Sequence, residues 1–150
     1  MNKPRKMIPE NRILFAYTRQ SFLDEHRELV LDVCSNTEIR WDVVYSTAQL
    51  HGVTPLVHSN LLQCPAENLG ISQQIMNKFR LCYYRNTVTK EKSAERITRA
   101  LSFFTERQID VMLIKGAALD LLVYDHPWYT ISDDIDLVIK CKREDMSDVD

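Results

Sequence analysis

The sequence predicts an α+β fold: a helical region over residues 1–108, then a strand, a helix and a second strand within residues 109–150. Three observations carry this. The chain holds only three glycines in 150 residues, against a usual share of about 7%, which favours helices over tight hairpins. Apolar residues recur at helical spacing as far as about Gln108. Beyond it the pattern changes to IDVMLI (Ile109–Ile114), a short and almost wholly apolar run that reads as a strand buried on both faces.

The elements follow in order. Ser21 is placed to cap a helix through FLDEHRELVLDVC, with Asp24 at the capping-box position and Leu23, Leu29, Val30 and Val33 as its apolar face. A second helix is expected from near Thr37, with Trp41, Val44, Tyr45 and Ala48 on one side. Gly52 ends it, and Pro55 suits the first turn of a third, PLVHSNLLQ. Ser72 opens the longest periodic stretch, roughly 55 Å if unbroken, with a bend or break expected around Thr87–Ser93. Ile97, Leu101 and Phe104 form its buried stripe. After IDVMLI, Gly116 ends the strand, AALDLLVY is a helix, HPWYTIS a loop and DIDLVIK the second strand.

Composition sets limits on function. With 45% hydrophobic and 27% charged residues the chain is globular in type, and a net charge of −2 argues against a broad nucleic-acid-binding face. No run of 18 apolar residues is present, so no membrane span is expected. Cys34, Cys64, Cys82 and Cys141 lie far apart with no C-x-x-C pair, which fits reduced thiols in a cytoplasm.

The chemistry concentrates between Ile114 and Lys140. In a strand, residues two apart point the same way, so Asp134 and Asp136 share a face while Ile135 points inward. Two carboxylates about 4 Å apart repel by about 4 kcal/mol at an effective dielectric near 20. Packing gives no reason to accept that cost, whereas Mg²⁺ or Mn²⁺ does, since hard cations take carboxylates plus substrate phosphates as ligands. Gly116, between a buried strand and a helix, lets backbone approach a ligand, and the free N–H groups at the helix start suit phosphate. Lys115 adds a point charge. Taken singly, a D-x-D or a K-G is weak, because aspartates also end strands and cap helices. Tyr83, Tyr84 and Arg85 with Lys78 and Arg80 read as the solvated face of an amphipathic helix more readily than as a polyanion site. His51 and His58 lack a third ligand at metal spacing.

Together, K-G-A-A-L, Tyr124, Pro127 and S-x-D-I-D-L-V-I resemble the uncharacterised nucleotidyltransferase family of the polymerase-β-type superfamily. WDVVYSTAQLHGVTPLVHSNL is similar to the same family's helical region, through Trp41, Ala48, His51, Pro55 and Leu56. The resemblance implies that residues 109–150 begin a nucleotidyltransferase-like core. In it Gly116 and Ala117 form the phosphate turn beside Lys115, and Asp134 and Asp136 are the catalytic, Mg²⁺-binding carboxylates. A nucleoside triphosphate would then give up its nucleoside monophosphate to an unknown acceptor. Two departures weaken nucleotide binding: Thr130 stands where relatives carry arginine, and the turn is Gly-Ala rather than Gly-Ser. The superfamily's third carboxylate lies on a later strand, for which Glu144, Asp145 and Asp148 are poor candidates. The chain is therefore expected to be the front part of a longer protein or a truncated relative, with an incomplete sheet edge that self-associates. The competing expectation is a non-catalytic helical protein-interaction module with a vestigial nucleotide site.

Overall fold

The computed structural model describes residues 7–132 and 134–140. Its elements are α1 (Pro9–Tyr17), α2 (Asp24–Asn36), α3 (Trp41–Leu50), α4 (Thr54–Leu61), a 3-10 turn (Ala66–Asn68), α5 (Gln73–Glu106), β1 (Val111–Ile114), α6 (Lys115–Leu122), a second 3-10 turn (Pro127–Tyr129) and β2 (Asp136–Ile139). The expected α+β class is what the chain adopts. Two compact units divide it inside α5: Met1–Thr87 with Trp128–Ile131, and Val88–Pro127 with Ser132–Asp150.

The first unit holds the main core. Pro9 opens α1, where a missing N–H costs nothing, and Ile13 and Tyr17 sit one turn apart on its inner face, both fully buried. Against them pack Val30 and Val33 of α2, Val44 and Ala48 of α3, Val57 and Leu61 of α4, and Phe79 of α5. Trp41, Asn60 and Glu10 each find a partner there. Trp41 Nε1 donates to the Leu69 carbonyl at 2.9 Å. Asn60 Nδ2 donates to the carbonyls of Tyr17 and Arg19 at 2.9 and 2.8 Å, closing the open end of α1. The buried Glu10 carboxylate accepts from Arg40 Nε at 2.8 Å, which holds its pKa below the usual carboxylate range.

Several starts and faces differ from expectation. α2 begins at Asp24, not at Ser21; His26 Nδ1 reaches back to accept from the Leu23 N–H at 3.0 Å, so a histidine performs the capping assigned to Asp24. Val30 and Val33 are buried, but Leu29 is exposed, and so is Leu23, which lies at the N-cap and outside the helix. Thr37 is the extended C-cap of α2, and α3 starts only at Trp41. Gly52 does end α3 in the left-handed region (φ 66), and its carbonyl accepts from the Ile131 N–H at 2.8 Å. Ser72 Oγ caps α5 through the Ile75 N–H at 3.3 Å, as expected. That helix then runs its 34 residues without the break expected around Thr87–Ser93.

In the second unit β1 and β2 pair antiparallel, with Val111 opposite Ile139 and Ile114 opposite Asp136. The strand is not buried on both faces: Met112 is 60% exposed, and its partner Val138 is 46% exposed. Paired residues share a face, so one side of this sheet presents apolar surface. Ile97, Leu101 and Phe104 are half-buried rather than a buried stripe. α5 closes with Gln108 in the left-handed region (φ 55) and the Ile109 N–H bonded to the Phe104 carbonyl at 3.0 Å, a Schellman-type end without glycine.

Candidate functional site

The antiparallel register sets Ile114, the last residue of β1, beside Asp136, the first of β2. The turn into α6 and the start of the aspartate strand therefore lie at one end of the sheet. Lys115 takes the left-handed conformation there (φ 54), a strained position for a residue with a Cβ. Its Nζ lies 3.0 Å from Asp136 Oδ1, with the lysine side chain 69% and the aspartate 32% exposed.

Gly116 has a reason that differs from the expected one. The positive φ falls on Lys115 and not on the glycine. A Cβ on Gly116 would lie 2.9 Å from both Cβ and Oγ of Ser132, closer than real side chains approach. The glycine makes room for Ser132. Ala117 is buried, and its methyl group lines a cavity of about 200 Å³ with Lys90, Ile97, Leu101, Asp120 and Leu121.

Asp134 is exposed and lies ahead of the strand, which begins at Asp136. A common strand face for Asp134 and Asp136 needs a strand through both, and the strand pairing begins only at Asp136. Asp133, Glu144, Asp145, Asp148 and Cys141 lie outside the described residues. Among the described residues no three His, Cys, Asp or Glu side chains converge as a metal-binding group. Asp134 and Asp136 fit a hard divalent cation in donor type, as accessible carboxylates, with substrate phosphates as the remaining ligands.

Beside the turn is a cluster that the sequence did not reveal. Lys90 of α5 and Asp120 of α6, both buried, form an ion pair. Ser132 Oγ accepts from Lys90 Nζ at 2.5 Å and donates to Asp120 Oδ2 at 3.3 Å. Asn86, one helical turn before Lys90, donates to the carbonyls of Trp128 and Thr130 at 2.7 and 3.1 Å. One signal was available: Asn86, Lys90, Ser93 and Ile97 recur at helical spacing. It was hidden because the buried stripe is polar just where an apolar one was sought.

The aromatic stretch of α5 is structural. The Tyr83 ring lies 5.0 Å from that of buried His58 and 5.7 Å from that of Tyr84. Burial and nearby Arg80 lower the His58 pKa. His51 is the exposed C-cap of α3.

The model of a family described as an uncharacterised nucleotidyltransferase matches residues 37–150, more than half of the chain. No curated protein and no solved structure matches it.

Proposed function

The chain belongs to the uncharacterised nucleotidyltransferase family, and on that premise we propose that it binds a nucleoside triphosphate with Mg²⁺ or Mn²⁺ and transfers a nucleoside monophosphate to an acceptor, releasing pyrophosphate. The observation that carries this reading is the pairing of Ile114 with Asp136, which sets a basic turn and the start of a carboxylate-bearing strand at one sheet end. Asp134 and Asp136 would hold the cation, which when bound screens phosphate charge and polarises the phosphoryl group. The backbone of Gly116 and Ala117 would receive phosphate oxygens. Lys115, close to Asp136 and largely exposed, is free in its geometry to turn from carboxylate to phosphate. Residues 109–150 then belong to a nucleotidyltransferase-like core.

The alternative, a non-catalytic module with a vestigial site, draws on Ala117, whose buried methyl offers no hydroxyl to phosphate. One experiment separates the two. Calorimetric titration with Mn²⁺ and ATP should give saturable binding that the double substitution Asp134→Ala, Asp136→Ala abolishes; equal affinity in both proteins would overturn the site assignment. Self-association belongs to the same proposal, through the exposed Met112 and Val138 side of the sheet, and concentration-dependent sedimentation tests it. Among the described residues no helix is long and apolar enough to cross a membrane. Cytoplasmic placement is proposed from the free thiols of Cys34, Cys64 and Cys82.

A further inference from the structure

We infer that Lys90, Asp120 and Ser132 form a positioning lock that fixes the approach to the Asp134–Asp136 segment; its functional consequence rests on the reading of those aspartates as cation ligands. The three side chains come from α5, from α6 and from the stretch just before β2, all within one compact unit. Lys90 and Asp120 are 5% and 8% exposed. Removing two such charges from water is costly, and well-packed apolar residues commonly match or exceed the stability of a buried pair. Bulk stability is therefore a poor reason for this pair. Direction is a better one. The ammonium donates to Ser132 Oγ and the carboxylate accepts from it, so the hydroxyl is held from both sides. A Ser–Lys nucleophile is not what this geometry makes: the Ser132 hydroxyl accepts from Lys90 Nζ and donates its own proton to Asp120, away from the lysine.

The chain is thus anchored at Ser132 by this lock and at Asp136 by pairing with Ile114. Asp134 stands midway between the anchors, exposed and carrying a carboxylate. Gly116 belongs to the same device, because only a residue without Cβ leaves Ser132 its place. The lock spans the turn and the aspartate segment, the two parts whose separation a triphosphate–metal site has to hold constant.

The test uses the full chain and two variants. Lys90→Met with Asp120→Leu removes both charges, leaving no orphaned ion; Ser132→Ala removes only the hydroxyl. Both should keep the wild-type melting temperature within a few degrees. Both should speed amide hydrogen exchange over residues 134–138, with protection in α1 to α4 unchanged. Both should also weaken Mn²⁺ binding, followed by paramagnetic resonance, by at least about tenfold, the lower end of what outer partners of metal ligands contribute. Unchanged local exchange in folded variants overturns the lock, whatever the metal does. Faster local exchange with Mn²⁺ affinity unchanged overturns its functional role while leaving the aspartate reading intact. If wild type itself shows no Asp136-dependent Mn²⁺ binding, the aspartate reading fails, and the exchange data alone then decide whether the lock exists.

Discussion

Lys115 Nζ lies 3.0 Å from Asp136 Oδ1, across the junction where β1 gives way to α6. The lysine sits there with φ 54, a conformation that disfavours any side chain. Strain of this kind persists where surrounding structure over-determines it. Here β1 pairing on one side and the Gly116–Ser132 contact on the other leave Lys115 little choice. From that backbone position the largely exposed ammonium reaches a carboxylate that the proposed site assigns to a cation.

Lys115→Met should separate the two ligands. The ion pair is largely exposed, and pairs of that kind contribute about 0–1 kcal/mol, so stability should change little. Removing the ammonium frees Asp136 and should leave or raise its affinity for Mn²⁺ alone, while affinity for a triphosphate falls. Parallel loss of both affinities would place Lys115 outside the phosphate subsite and make its role structural.

Gly116→Ala should destabilise by about 1–3 kcal/mol, the usual cost of overpacking, since its Cβ would meet Ser132 at 2.9 Å. Combining it with Ser132→Gly removes the atoms it strikes. The double variant should then lose less stability than the two single changes added together, a coupling that denaturant melts resolve. Additive losses would mean that the glycine serves some other neighbour.

The helical region was legible because its signals are apolar and periodic: Trp41, Val44 and Ala48, or Ser72 ahead of α5, are one-dimensional patterns that folding leaves intact. What was misread depended on partners distant in sequence. His26 caps α2 through a ring nitrogen, a role no spacing rule assigns to histidine. IDVMLI looks doubly buried, yet Met112 in it is 60% exposed, because cover for a sheet face comes from elements that a strand's own sequence does not name. Lys90 and Asp120 stand 30 residues apart, and each by itself resembles an ordinary surface charge. Ser132, against which Gly116 packs, was visible in the sequence only as a motif letter.

Asn60→Ala tests how the first unit is closed. The amide satisfies two carbonyls at the end of α1 and also accepts from Gln63 Nε2 at 3.0 Å, in a site 2% exposed. Losing it leaves buried acceptors unpaired, at about 1–3 kcal/mol. Urea melts should show a lower midpoint with an unchanged slope; a loss under about 0.5 kcal/mol, typical of surface positions, would show that water replaces the amide without cost.

His58 gives the fold a pH dependence of definite sign. Its ring is buried against Tyr83, Nδ1 has no hydrogen-bond partner among the described residues, and desolvation followed by Arg80 lowers its pKa. The unfolded chain takes up this proton near the ordinary value of about 6.5; the folded chain does so only at lower pH. Between the two values the unfolded state binds more protons, so stability falls as pH drops below about 6.5, by at most about 1.4 kcal/mol per pH unit for one group. Glu10, whose pKa is lowered by Arg40, acts in a separate window, losing its contribution as pH falls below the usual carboxylate range. His58→Phe keeps a ring against Tyr83 and cannot titrate. Melting temperatures at pH 7.5 and 5.5 should differ for wild type and converge for the variant; an equal drop in both would assign the acid sensitivity to another group.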